Sequence, residues 1–114
     1  MSLTLNEYQD RTFDTALYPG ANEGSLAAIV YCALGLGESG EVQGKVKKII
    51  RDDSSEVTDD HRYAIAGELG DNLWYLARMA KEVGYSLDEI AQMNLDKLAS
   101  RRERGVVGGS GDNR

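Results

Sequence analysis

Two pairs of acids have a spacing that can do chemistry. Glu38-Ser39-Gly40-Glu41 and Glu68-Leu69-Gly70-Asp71 each set two carboxylates three residues apart, which on a helix puts both members of a pair on one face. Most helical carboxylates simply face solvent, so their position relative to the apolar residues decides the matter. At about 100° per residue, with Leu26 as zero, Val30 falls near 40°, Leu34 near 80° and Glu41 near 60°, so Glu41 continues the apolar stripe. Lys48 and Lys45 follow at roughly 40° and 100°. With Ile65 as zero, the second core stripe spans roughly 0° to 80°, and Glu68 near 300° and Asp71 near 240° flank it. If the two helices pack antiparallel, as a short connection favours, four carboxylates converge, and their repulsion calls for a divalent cation. All four are hard oxygen donors with no accompanying His or Cys pair, which selects Mg²⁺, with Mn²⁺ as a substitute, over zinc or copper. The lone His61, at a helix start, reads as a surface residue.

Glycine gathers around these acids. Gly35, Gly37, Gly40 and Gly44 interrupt one helix and Gly67 and Gly70 adjoin the acids of the other, each costing up to about 1 kcal/mol relative to alanine. Close helix packing and room for a ligand are the two explanations. Lys45, Lys48, Lys97 and Arg101 add cations at helical spacing, a combination with metal-binding carboxylates that suits a polyphosphate.

These residues need helices to place them, and the chain supplies four. Thr4 and Glu7 have the spacing of a capping box, which opens a helix over about 5–18. The run Tyr18-Pro19-Gly20-Ala21-Asn22-Glu23-Gly24 turns the chain. A second helix is expected over 25–50, ending at the polar cluster of residues 51–56. A third is expected over 58–83, because Ile65, Leu69, Leu73, Leu76, Ala80 and Val83 recur at steps of three and four; Gly84 stops it. Ser86 and Glu89 form a second capping box, opening a fourth helix over 86–102 through Leu87, Ile90, Ala91, Leu95 and Leu98. Residues 103–114 are too rich in glycine to continue a helix and read as a flexible tail. With no strand-like alternation of useful length, the expected fold is all-α, a four-helix bundle-like protomer, with 1–102 as its one domain.

The bulk composition agrees. A chain of 114 residues, 41% hydrophobic, builds one modest core, and sharing a helical interface with a second copy would help its stability. Its 13 Lys and Arg against 19 Asp and Glu give a net charge of −6, which disfavours passive adhesion to nucleic acid polymers and anionic membranes. The one cysteine, Cys32, excludes an internal disulfide and sits in an apolar run. No stretch approaches the roughly 20 apolar residues of a membrane span, and the N-terminus lacks a signal pattern, so a cytoplasmic protein is expected.

Taken together, Glu38-x-x-Glu41 and Glu68-x-x-Asp71 resemble the signature of the MazG-type all-α nucleoside triphosphate pyrophosphohydrolases. Gly35-Leu36-Gly37-Glu38-Ser39-Gly40-Glu41-Val42 with Lys45, Lys47 and Lys48, and Glu68-Leu69-Gly70-Asp71-Asn72-Leu73-Trp74-Tyr75-Leu76, look like that family's two core helices. Asn94-Leu95-Asp96-Lys97-Leu98 with Arg101 looks like its last. The ending Arg101-x-x-Arg104-Gly105, followed by Gly109 to Arg114, resembles short, phage-type members, in which case the cytoplasm is that of the host. The resemblance implies cleavage between the α and β phosphorus atoms of a nucleoside triphosphate, giving the monophosphate and pyrophosphate for nucleotide-pool control, in a homodimer or homotetramer. It implies Glu38, Glu41, Glu68 and Asp71 as metal ligands, with Glu38 or Glu41 acting on the attacking water. Lys45, Lys48, Asn94, Lys97, Arg101 and Arg104 are then substrate-binding candidates, and the tail is expected to order over the active site when substrate binds. Rival readings are a related helical enzyme acting on dUTP, dCTP or a phosphoribosyl nucleotide, and a non-enzymatic helical dimerisation module.

Overall fold

The computed structural model describes residues 2–37, 40–52, 56–105 and 108. Five helices stand among them: α1 (Leu5–Arg11), α2 (Leu26–Leu36), α3 (Gly40–Asp52), α4 (Asp59–Glu82) and α5 (Leu87–Glu103). No strand occurs among the described residues, and the all-α reading holds. The helix expected over 25–50 is thus described as α2 and α3, on either side of residues 38 and 39. Residues 53–55, Glu38 and the tail residues 106, 107 and 109–114 lie outside the described residues.

Caps set most of the boundaries. The Thr4 hydroxyl accepts from the Glu7 N–H at 3.1 Å and opens α1, and Ser25 does the same for α2 through Ala28. Ser86 and Glu89 form the reciprocal box expected at α5. At α4 the box is made by Thr58 and His61, whose Nδ1 accepts from the Thr58 N–H at 3.1 Å. The half-buried His61 is therefore a capping residue, not merely a surface one. The first helix is shorter than expected: α1 ends at Arg11 and tightens into a 3₁₀ turn over Thr12–Thr15. Thr12 Oγ1 donates to the Gln9 carbonyl and Thr15 Oγ1 to the Thr12 carbonyl, each three residues back, and such back-bonding competes with the α-helical ladder.

α4 is the hub, packing against α1, α2, α3 and α5. Its partners meet it through small residues. On α2 the buried positions are Ala28, Cys32 and Gly35, and a Cβ on Gly35 would lie 2.1 Å from the Tyr75 ring. The expected apolar stripe of Leu26, Val30 and Leu34 instead faces outward; Leu26 and Leu34 are 76% and 75% exposed. This corrects the projection. The α2–α4 contact is close enough that Tyr75, Trp74 and Tyr18 fill the space, so large aliphatic side chains point away. Leu69, Leu76, Leu95 and Leu98 are also exposed. No helix of the described chain is long and apolar enough to cross a membrane.

The C-terminal half of α4 carries a polar clamp that holds the turn over residues 18–24. Arg78 and Glu82, four residues apart, are buried at 1% and 5% exposure. The Glu82 carboxylate accepts from the Tyr18 hydroxyl, from the Asn22 N–H at 2.8 Å and from the Gly24 N–H at 2.9 Å. Gly24 adopts φ +64°, a left-handed conformation that costs glycine little. Arg78 donates to the Tyr18 hydroxyl at 3.1 Å, to Thr12 Oγ1 at 3.2 Å and to Asn22 Oδ1. Burial alone would raise the Glu82 carboxyl, but these hydrogen bonds and the Arg78 charge hold it below the usual carboxylate range.

Candidate active site

The stretch of α4 up to Asn72 is built differently. Lys45 on α3 reaches Glu68 on α4 at 4.0 Å. Ile49 and Ala64, and beyond them Asp52 and His61, line one cavity between the same two helices. These pairings fix an antiparallel register. Four residues back from Lys45 is Glu41 and four forward from Glu68 is Asn72, so Glu41 stands level with Asn72 and its neighbour Asp71. The expected antiparallel approach of the two acid-bearing helices is thus present.

The individual carboxylates differ in environment. Glu68 is half-buried, while Glu41 and Asp71 are exposed. The exposure of Glu41 corrects the reading that it continues a buried stripe, because that stripe itself faces outward. Among the described residues no group of three His, Cys, Asp or Glu side chains stands as a metal-holding cluster. Glu38, the fourth expected ligand, lies outside the described residues.

Three features of the site fit a hard divalent cation. The donors available from Glu41, Glu68 and Asp71 are all carboxylate oxygens. A Cβ added at Gly37, Gly40, Gly44, Gly67 or Gly70 would meet nothing within 4 Å, so these glycines leave space beside the acids, whereas Gly35 serves close packing. Third, the Asn72 Oδ1 is buried with no hydrogen-bond partner. The orientation of that amide follows from its other end: Nδ2 donates to the Glu68 carbonyl at 3.0 Å, and a flipped amide would set oxygen against oxygen. A buried acceptor without a donor costs about 1–3 kcal/mol, and a water or hydroxyl donor in the site would recover it. Asn72 escaped the sequence reading as a site residue; its signal was its place four residues after Glu68, on the same face of α4.

Cations surround this space unevenly. Lys45 and Lys48 line the cavity of about 210 Å³ between α3 and α4. The other cationic candidates are on α5, which packs against α1 and α4. There Asn94 and Arg104 are exposed, Lys97 is half-buried and Arg101 is buried, with Arg104 Nε donating to Ser100 Oγ at 3.2 Å. The structure therefore joins Lys45 to Glu68 and places the other group on α5 and its C-cap, Arg104. On the α1 side, burial and the nearby Asp71 carboxylate both raise the Tyr8 phenol above its ordinary value.

Comparison with known proteins gives the same direction. Residues 30–106 match the model of the MazG nucleotide pyrophosphohydrolase domain. The chain is 47% identical over 109 residues to the Gene 37 protein of Mycobacterium phage L5, covering 94% of this chain and 96% of that protein. No solved structure matches at a significant level.

Proposed function

Starting from a chain that belongs to the MazG nucleotide pyrophosphohydrolase family, we propose that it hydrolyses nucleoside triphosphates to the monophosphate and pyrophosphate with Mg²⁺, Mn²⁺ substituting. The observation that carries the reading is the α3–α4 register fixed by Lys45 and Glu68, which sets Glu41 level with Asp71 and the unsatisfied Asn72 Oδ1. Glu38, Glu41, Glu68 and Asp71 would hold the metal. Bound there, Mg²⁺ offsets the negative charge on the phosphate oxygens.

The chain's own residues do the rest. Glu41 or Glu38 orients a water and takes one of its protons. The water oxygen bonds to phosphorus at the α–β linkage while the bridging bond breaks, and pyrophosphate leaves with the electron pair of that bond. Lys45 and Lys48 stabilise the charge on the departing phosphates. Asn94, Lys97, Arg101 and Arg104 are assigned to the substrate from α5 and its end, with the tail closing over the bound nucleotide. The outward face of Leu26, Val30 and Leu34 supports a homodimer or homotetramer, since monomers rarely leave such contiguous apolar surface in water.

The test is substitution of the acids. Glu41→Gln and Asp71→Asn each lower Mg²⁺-dependent pyrophosphate release by about 100-fold or more, because even indirect supporters of metal ligands are worth 10–100-fold, while helical content is unchanged. Undiminished turnover in both variants refutes the metal-site assignment.

A further inference from the structure

A second cavity, of about 310 Å³, opens on the α1 side of Asp71, lined by Leu3, Tyr8, Arg11, Thr12, Thr15 and Trp74. Trp74 sits one helical turn beyond Asp71 on α4, a spacing that places neighbours on one face. The Asp71 charge is also felt at the Tyr8 phenol on the opposite wall, which sets the cavity on the Asp71 side of α4.

Its chemistry is unlike that of the Lys45–Lys48 cavity. Two aromatic rings and one guanidinium replace two ammonium groups. The indole is already fixed: Nε1 donates to Thr15 Oγ1 at 2.8 Å, and the ring meets Tyr18 and Tyr75 nearly perpendicular, with centroids 6.2 and 5.1 Å away. A ring held this way loses little freedom when a flat partner stacks on it. The two threonine hydroxyl protons are spent on backbone carbonyls, so Arg11 and the Tyr8 hydroxyl are the donors the cavity offers. A planar group with acceptors on its edge fits both features, and guanidinium also stacks on π faces.

Resting on the pyrophosphohydrolase reading above, we propose that this cavity is the nucleobase subsite. The substrate then lies along α4, with its base between Tyr8 and Trp74. The phosphate that stays with the nucleoside sits at Glu41, Glu68 and Asp71, and the leaving phosphates point toward Lys45 and Lys48. Stacking supplies affinity with little base selectivity, and Arg11 supplies discrimination at the base edge.

Trp74 is the only tryptophan, so its fluorescence reports the subsite directly. The full chain with Mg²⁺ is titrated with the ribo- and deoxynucleoside monophosphates and, separately, with inorganic pyrophosphate. At least one monophosphate changes the Trp74 emission, and pyrophosphate does not. Leu3→Phe, which adds bulk at the exposed rim, and Arg11→Ala each raise KM for the preferred triphosphate about tenfold, as loss of one stacking or edge contact implies, with kcat within about twofold. Pyrophosphate release from triphosphates with no monophosphate-induced emission change, and KM unaltered in both variants, overturns the subsite and leaves the reaction standing. Absence of pyrophosphate release from every triphosphate overturns the reaction and the subsite with it.

Discussion

α4 carries one charged cluster near its middle and another at its C-terminal end, and they are solved in opposite ways. Toward its C-terminus, Arg78 and Glu82 are buried and satisfied by Tyr18, Thr12, Asn22 and Gly24. Near its middle, Asp71 is exposed, Glu68 meets Lys45 only at 4.0 Å, open space lies against Gly67 and Gly70 and Asn72 Oδ1 has no partner among the described residues. The first cluster holds the fold together and has nothing left to offer a ligand. The second is incomplete among the described residues, which is the property a metal and nucleotide site requires.

The sharpest way to break this contrast is to remove one charge from each cluster. Arg78→Met strands the buried Glu82 carboxylate and is expected to destabilise the protein by about 3–5 kcal/mol, read by urea unfolding. Asp71→Asn in the same assay leaves stability unchanged or improved, because it relieves repulsion without emptying a packed site. Equal losses in both variants would erase the division between a fold-holding end and a working middle.

Glycine sharpens the same comparison at smaller scale. Gly35→Ala forces a methyl into the Tyr75 ring and is expected to cost about 1–3 kcal/mol. The acid response of the clamp comes next. Because the native Glu82 carboxyl is held low, its stabilisation is complete above the ordinary glutamate pKa of about 4.3. It is lost as pH falls from there through the depressed native value. Unfolding measured across that window therefore shows a steeper loss in the wild type than in Glu82→Gln. Smallest of all, Gly70→Ala meets open space and gains up to about 1 kcal/mol of helix stability.

What the sequence made legible follows the same boundary. The caps at Thr4 and Ser86 and the stop at Gly84 are local patterns, and helices start and end there, whereas α1 ends at Arg11 and Glu38 lies outside the described residues. The expected antiparallel packing of the helices that carry Glu41 and the Glu68–Asp71 pair is present, with Lys45 against Glu68. Burial was harder to read. A projection that ranks residues by hydrophobicity turns Leu26, Val30 and Leu34 inward, whereas the close contact with α4 admits only Ala28, Cys32 and Gly35. Arg78 and Glu82 look like an ordinary solvated ion pair until the turn at 18–24 closes over them, and that turn is sixty residues away in sequence. The orphaned acceptor of Asn72 is likewise a property of two helices together.

The proposed reaction is cleavage of nucleotides at the α–β linkage by the open stretch at the middle of α4. The direct measurement is a panel of ribo- and deoxynucleoside triphosphates incubated with Mg²⁺, with monophosphate and diphosphate products resolved. The account predicts monophosphate and pyrophosphate in equal amounts from at least one triphosphate, lost on chelation of the metal. Diphosphate with free orthophosphate, or no hydrolysis of any triphosphate, would contradict it.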